Sequence, residues 1–247
     1  MPDLEFVLVD EANFDDIPAP AQPGARCQTC DYWERIDGGR EAPEGNNAAR
    51  ANLKRGRLLS GRAVSGSYAM LAYQADAVAR VPIGFAQFGP LSAYPRAQSI
   101  RDRYPQLPES PAPWVITCLQ VSGDARAVAG AVLLEAVCSE LDGRGITAVE
   151  AYPEGGAADA WLPSPGPASV YEAAGFERLA GDERFPVYRR ELTGETDADA
   201  WSGLLRASRP DDEDDAWPLH GPPTGDPDDL FRLPPERPKR PNPFGDD

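Results

Sequence analysis

The sequence predicts an α/β (α+β) fold in which a mixed, mostly antiparallel central sheet is flanked by helices. Residues 67–89 contain two apolar strands joined by a short turn, which is typical of an antiparallel hairpin. Residues 114–152 contain an apolar strand, an amphipathic helix and a second strand, which is typical of a parallel βαβ unit. A chain with both kinds of connection builds a mixed sheet covered by helices.

The elements follow from apolar periodicity and from the residues that end helices and strands. Ala49 and Leu53 lie four residues apart and predict the buried face of an early helix. Gly175 ends a short late helix, and the prolines between 90 and 113 predict a long loop. The predicted order β-α-β-β-β-α-β-α-β has strands at 6–9, 67–74, 81–89, 114–121, 146–152 and 186–192, and helices at 48–59, 132–141 and 168–174, the second of them preceded by a turn.

Small residues dominate the turn at 121–131, and the long helix is expected to follow it from Val132. A helix that starts in such a turn leaves several backbone N–H groups unpaired and directed outward. These groups suit an anion such as a pyrophosphate, because each of them can donate a hydrogen bond to it. The sequence therefore predicts an anion-binding turn between the central strand and this helix.

The composition divides the chain into a predicted folded domain at 1–193 and an acidic, proline-rich tail at 194–247. The tail holds 14 of the 40 acidic residues and 6 of the 24 basic ones, so it carries half of the net charge of −16. It also holds 10 of the 27 prolines. Its few apolar residues cannot offset the entropy lost on ordering, so the tail is expected to be disordered.

The net negative charge of the chain does not favour binding to nucleic acid or to an anionic membrane surface, because both partners are themselves negatively charged. No apolar run approaches the length of a membrane span, and the acidic start of the chain lacks the pattern of a signal peptide. A cytoplasmic location is the expectation. The single histidine, His220, lies in the tail, so proton transfer in the domain must use carboxylates, Tyr, Cys or water.

Three segments, in this order, resemble the GNAT superfamily of N-acetyltransferases over about residues 68–192. They are Ile83-Gly84-Phe85-Ala86-Gln87, the strand end Leu119-Gln120-Val121 with its small-residue turn and Leu133-Leu134, and Tyr171-Glu172-Ala173-Ala174-Gly175-Phe176. Cys27-x-x-Cys30-x-x-Trp33-Glu34 is similar to a segment of a cysteine-bearing bacterial subset of these proteins. The resemblance implies acetyl-CoA as cosubstrate and a cleft between two splayed strands.

The same resemblance implies the residues that would bind the cosubstrate. The backbone of Leu119 and Val121 would hold the pantetheine arm. The family pattern R/Q-x-x-G-x-G/A, placed at Arg126, has Ala129 where a glycine is expected; counted back from Leu133, it has Val128 there instead. In either register the turn is one residue shorter than usual. The residues assigned to the pyrophosphate are Arg126, Ala127, Val128, Ala129, Gly130 and Ala131.

Two residues are candidates for proton transfer. Tyr171 matches the family tyrosine that protonates the departing thiolate; the alternative is a ring that only packs on the sheet. Glu150 lies near the C-terminal end of a predicted strand beside the expected cleft and is the candidate general base; the alternative is an exposed structural glutamate. Glu34 and Gln120 are further polar groups that could face the acceptor.

The cysteines allow several interpretations. Cys27-x-x-Cys30 has the spacing of one half of a zinc knuckle and also that of a redox dithiol. A structural or substrate-side loop with paired thiols is the preferred interpretation. Cys118 and Cys138 lie among apolar residues and are predicted to be buried free thiols. No metal site is predicted.

Two main functional hypotheses follow, and a third ranks below them. The first is an acetyl-CoA-dependent N-acetyltransferase in which a small-molecule or peptide amine attacks the thioester directly. The second is a catalytically inactive GNAT-like module that binds a ligand or partner; the third is a zinc- or redox-linked regulator. An open cleft with Tyr171 directed into it favours the enzyme, whereas a cleft filled by residues 153–167 favours the binding module.

Overall fold

The structure is a computed structural model. It describes residues 3–20, 26–36, 47–61, 66–75, 80–122, 126–153, 165–183 and 186–193. The predicted tail at 194–247, most of the loop at 153–167 and the residues at 37–46 lie outside the described residues. No helix in the described part of the chain is both long enough and apolar enough to cross a membrane.

Seven strands form one sheet in the order β1-β2-β3-β4-β5-β7-β6. The strands are β1 (Asp3–Leu8), β2 (Ala69–Ala75), β3 (Arg80–Pro90), β4 (Trp114–Val121), β5 (Ala148–Ala151), β6 (Glu177–Gly181) and β7 (Pro186–Glu191). The helices are α1 (Asn47–Leu59), α2 (Pro95–Arg101), α3 (Arg126–Gly143) and α4 (Ala168–Ala173).

The sheet is mostly antiparallel, as the sequence predicts. β1 to β4 pair consecutively and antiparallel, and β5, β7 and β6 form a second antiparallel group. The two groups meet at the parallel pair of β4 and β5. A parallel connection needs a crossover, and α3 supplies it between these two strands. The predicted fold class is confirmed.

The core has one layer on each face of the sheet. Apolar residues of α3 and α4, such as Leu133 and Val170, pack on the first face together with Leu119. The second face is covered by residues from the N-terminal segment, α1 and α2, among them Trp33, Leu58 and Ala97. The two faces therefore present different elements to any ligand that reaches the middle of the sheet.

Three elements differ from the sequence prediction. α2 lies inside the predicted loop, where Pro95 is the first helical residue, a position at which the missing N–H of proline costs nothing. β6 is an edge strand that exposes most of its residues, so it has little apolar signal. α3 begins at Arg126 rather than at Val132, which makes most of the predicted turn part of the helix.

Candidate functional site

β4 and β5 separate in the middle of the sheet. Their parallel pairing covers three residue pairs and ends with Ile116 opposite Ala151. From residue 118 to 121 the β5 side of β4 has no partner strand among the described residues. On its other side Gln87 pairs with Cys118 and Phe88 with Ile116, so Thr117 is the extra residue of a bulge. A bulge bends a strand and re-aims it, which accounts for the splay at this point.

Leu119 and Val121 lie in the splayed part of β4. Their side chains are buried on the face covered by α3 and α4. Leu119 pairs with Ala86 and Val121 with Gly84 on β3, so β3 covers one edge of each. The opposite backbone edge is the one that faces away from β3, and an extended ligand arm would have to bind there.

The N-terminus of α3 follows directly on this end of β4. In an α-helix that begins at Arg126, the backbone N–H groups of Arg126, Ala127 and Val128 have no partner within the helix. Ala129, Gly130 and Ala131 donate to carbonyls one turn back, so their N–H groups are not available to a ligand. Ala127 and Val128 are exposed, whereas Ala129 and Gly130 are buried. The helix thus reduces six candidate donors to three.

Residues 165–167 are buried against the splayed part of β4. A methyl group added to Gly166 would lie 3.3 Å from Cδ2 of Leu119 and 3.5 Å from its carbonyl oxygen. The hydroxyl of Tyr171 donates a hydrogen bond of 2.5 Å to the carbonyl oxygen of Pro165. Burial raises the pKa of Tyr171 well above its usual value. Tyr171 is therefore a neutral phenol in the core, next to the splay but in contact with this segment.

Glu150 is fully buried and is surrounded by donors. Its Oε1 accepts from Nη1 of Arg189 at 2.9 Å. Its Oε2 accepts from Nε of Arg101 at 3.1 Å and from the hydroxyl of Tyr152 at 2.6 Å. The structure therefore places the candidate base in an ion cluster that joins β5, β7 and α2. Neither arginine was singled out by sequence reasoning, because both lie far from Glu150 along the chain.

A second buried ion pair lies at β3, on the face of the sheet that α1 covers. Nζ of Lys54 donates to Oε1 of Glu34 at 2.7 Å and to Oε1 of Gln87 at 2.6 Å. Nε2 of Gln87 donates to the same Glu34 oxygen at 3.0 Å. Only 3% of the Lys54 side chain and 6% of the Glu34 side chain are exposed. Sequence reasoning missed Lys54, because its partners come from other elements.

The cysteines divide as the sequence predicts. Cys118 and Cys138 are buried free thiols, and Cys27 and Cys30 are half-buried free thiols. Burial, with a smaller contribution from Cys30, raises the pKa of Cys27 to about 12. Burial also raises the pKa of Cys118, whose electrostatic neighbours include Cys27 and Cys30. Within the described part of the chain, no group of three or more His, Cys, Asp or Glu side chains is placed to hold a metal ion.

Gln120 lies opposite Phe85 on β3 and is 5% exposed, so it is not at an open surface. Of the sequence-predicted site residues, the structure brings together Leu119, Val121, Tyr171 and the start of α3 around the splay. Glu150 and Glu34 belong to two separate polar clusters.

The comparisons with known proteins return matches only among solved structures. No protein-family model and no curated protein matches the chain. A mosquito arylalkylamine N-acetyltransferase-like protein is 11% identical, with a TM-score of 0.45 over 77% of this chain and 100% of that one. A Drosophila melanogaster polyamine N-acetyltransferase is 14% identical, with a TM-score of 0.44 over 77% and 100%. A putative acetyltransferase of Salmonella typhimurium, solved with acetyl-CoA, is 12% identical, with a TM-score of 0.42 over 76% and 94%.

Proposed function

We propose that this protein is an acetyl-CoA-dependent N-acetyltransferase that acts on a small-molecule or peptide amine. The observation that carries the proposal is the splay of β4 from β5, with the N-terminus of α3 at its end. Among the described residues, this arrangement supplies a strand edge without a partner strand for an extended arm and N–H groups at a helix start for an anion. It agrees with the resemblance of three sequence segments to GNAT N-acetyltransferases.

The residues present fit acetyl-CoA in two respects. The backbone N–H groups of Arg126, Ala127 and Val128 suit a pyrophosphate, since they are directed out of the first turn of α3. The free edge of β4 beside Leu119 and Val121 suits the amide groups of the pantetheine arm. Residues 165–167 lie against Leu119, so the arm would share this part of the cleft with them.

The chemistry is a direct transfer. The amine nitrogen attacks the thioester carbon, a C–N bond forms, the C–S bond breaks and the thiolate leaves. A phenol beside the sulfur protonates the thiolate, and Tyr171 is the candidate because it is neutral and next to the splay. Its hydroxyl must then leave the carbonyl of Pro165, with which it is hydrogen-bonded.

The amine must also lose a proton, and the role of Glu150 as the base stays a prediction. Its carboxylate accepts hydrogen bonds from Arg189, Arg101 and Tyr152. One of these contacts would have to break before Glu150 could take a proton. The cluster equally suits a structural role, in which Glu150 ties α2 and β7 to the centre of the sheet.

A specific observation also favours the second hypothesis, the non-catalytic binding module. Segment 165–167 is buried on Leu119 and accepts the only hydrogen bond that the hydroxyl of Tyr171 makes among the described residues. A cleft narrowed in this way is what the binding module requires. The two functions differ in whether acetyl-CoA binds and whether its thioester is consumed.

The test is calorimetric titration of the full chain with acetyl-CoA, followed by a thiol-release assay with amines. We expect micromolar binding, in the range of ordinary enzyme KM values. Binding should weaken about tenfold in Arg126→Ala, because this variant keeps the backbone N–H but removes a positive charge from the first turn of α3. Arg57→Ala, an exposed arginine on α1, is the matched control and should bind as the wild type does. Absence of binding to a folded wild-type protein would rule out the transferase and leave the binding module.

A further inference from the structure

Glu34 has one satisfied and one unsatisfied oxygen. Oε1 accepts from both Lys54 and Gln87. Oε2 is buried and has no hydrogen-bond donor among the described residues. A buried carboxylate oxygen without a donor is costly, because it has lost its hydrogen bonds to water without gaining others. Such a group needs an explanation, and a ligand that supplies the donor is one.

The position of Glu34 relates it to the splay. Gln87, which hydrogen-bonds to Glu34, pairs with Cys118 on β4. Cys118 lies two residues beyond Ile116, the last residue of β4 that pairs with β5. The carboxylate therefore lies next to the first part of β4 that has left β5.

Glu34 also lies on the face of the sheet away from α3. Cys118 packs with Trp33, Tyr94 and Tyr152 in the core layer of that face. A cosubstrate whose pyrophosphate binds at the start of α3 enters from the other layer, which contains Leu133 and Leu119. An acceptor that attacks the thioester from the opposite side would enter through the layer to which Glu34 belongs.

We propose that Oε2 of Glu34 accepts a hydrogen bond from the nitrogen of the acceptor, a primary amine, and holds it at the splay. This inference rests on the proposed N-acetyltransferase function and adds the residue that selects the acceptor. Lys54 and Gln87 act as positioning residues, because their hydrogen bonds to Oε1 fix the carboxylate and leave Oε2 for the ligand.

The electrostatics of the cluster suit a nitrogen with N–H donors. Lys54 and Glu34 form a pair with no net charge, and burial keeps the thiols of Cys27 and Cys118 protonated and neutral. The polar atom of the cluster that still lacks a hydrogen-bond donor is therefore Oε2 of Glu34, and an N–H group of a ligand would supply the missing hydrogen bond. A quaternary ammonium has the positive charge but cannot donate this bond.

The chain leaves the core within two residues of Glu34. Ile36 is 71% exposed, and Cys27 and Cys30 at the other end of the segment are half-buried. Glu34 thus belongs to a segment whose ends reach solvent, although its own side chain is only 6% exposed.

The experiment compares the full-length wild type with Glu34→Gln by ligand-observed NMR titration. The probes are 2-phenylethylamine, spermidine and the N,N,N-trimethyl derivative of 2-phenylethylamine. In the variant an amide NH₂ group takes the place of Oε2. Because this group is itself a donor, it cannot accept a hydrogen bond from the N–H of the amine. We expect the dissociation constant of at least one primary amine to rise tenfold or more, with no change for the quaternary probe. Glu5→Gln, in an exposed pair with Arg80, is the matched control.

Equal affinity of both proteins for the primary amines, or binding by neither, would overturn the proposal. An equal loss for the quaternary probe would also overturn it, since charge alone would then explain binding. If Glu34→Gln does not fold, the double variant Glu34→Gln/Lys54→Met removes both buried charges and serves in its place. Acetyl-CoA titration of the same samples distinguishes the two proposals. If amine binding depends on Glu34 but acetyl-CoA does not bind, the proposed N-acetyltransferase function is wrong and the amine site at Glu34 is supported.

Discussion

Arg189 and Glu150 face each other across β7 and β5, with Nη1 of the arginine 2.9 Å from Oε1 of the glutamate. The arginine side chain is 1% exposed and the glutamate side chain is fully buried. Arg101 adds a second guanidinium at Oε2, and its Nη2 donates to the carbonyl of Pro108. The charged pair therefore joins the sheet to α2 and to the segment that leads into β4.

Replacing Glu150 by Gln should destabilise the fold, because two guanidinium groups would lose their shared counter-charge. Breaking a buried ion pair in this way costs about 3–5 kcal/mol, so we expect a loss of that order in the free energy of unfolding. Urea denaturation measures it, with Glu172→Gln as a control, since Glu172 is exposed and its carboxylate accepts a hydrogen bond from the neutral hydroxyl of Tyr188. Unchanged stability with a collapsed kcat would instead support Glu150 as the general base.

Replacing Tyr171 by Phe tests the proposed acid. The variant keeps the ring, which packs edge-on against Phe176 and stacks on Tyr188, but loses the hydroxyl. If Tyr171 protonates the thiolate, kcat should fall by about 10²–10⁴ while acetyl-CoA affinity is retained. Loss of the hydrogen bond to Pro165 should lower the free energy of unfolding by about 1–2 kcal/mol.

Tyr188→Phe is the matched control for this variant. It also removes a phenol hydroxyl with a 2.5 Å hydrogen bond, in this case to Oε1 of Glu172. Initial rates of thiol release for the two variants should therefore differ by the catalytic contribution alone. Equal kcat values in Tyr171→Phe and in the wild type would leave Tyr171 with a packing role only.

Much of the sheet could be predicted because its strands have local apolar patterns. β4, whose eight residues are all buried, was predicted with its observed bounds. The sequence does not predict β6, because this edge strand has no buried residue and so no alternating apolar pattern. α3 was predicted as a helix, but its first turn consists of small residues that fit a turn or a helix equally well.

The site was less predictable because its polar contacts join distant parts of the chain. Leu53 was expected on the buried face of α1, yet it is 62% exposed, and the buried residues are Lys54 and Leu58. Lys54 is buried because Glu34 and Gln87, 20 and 33 residues away, satisfy its ammonium group. A local periodicity cannot anticipate partners at such separations.

Gly166→Ala should destabilise the domain at the cleft. Gly166 has a φ of +79°, which an L-residue with a side chain adopts at a cost of about 1–2 kcal/mol. The new methyl group would also be 3.3 Å from Leu119, which is tight for a carbon contact. Gly143→Ala is the control, because a Cβ there meets nothing within 4 Å and its helical position favours alanine. Thermal unfolding should show opposite shifts for the two variants; equal shifts would contradict the strained backbone at 166.

The thiol of Cys27 should resist alkylation in the folded protein. Its pKa is raised from 9.0 to about 12 by burial and by Cys30, so the thiolate fraction at pH 8 falls by roughly 10³ relative to the unfolded chain. Iodoacetamide labelling at pH 8, followed by mass spectrometry of the peptide, should be slower by about that factor than in urea.

The same shift links these thiols to stability. Cys138, whose pKa burial also raises to about 12, should be protected from labelling in the same way. Between pH 9 and pH 12 the unfolded chain loses thiol protons that the folded chain keeps, so the free energy of unfolding should fall as the pH rises through this window. A redox dithiol needs a readily formed thiolate. Labelling of Cys27 at the rate of the unfolded chain would therefore support the redox-dithiol interpretation of Cys27-x-x-Cys30. Strong protection from labelling supports a structural or substrate-side segment.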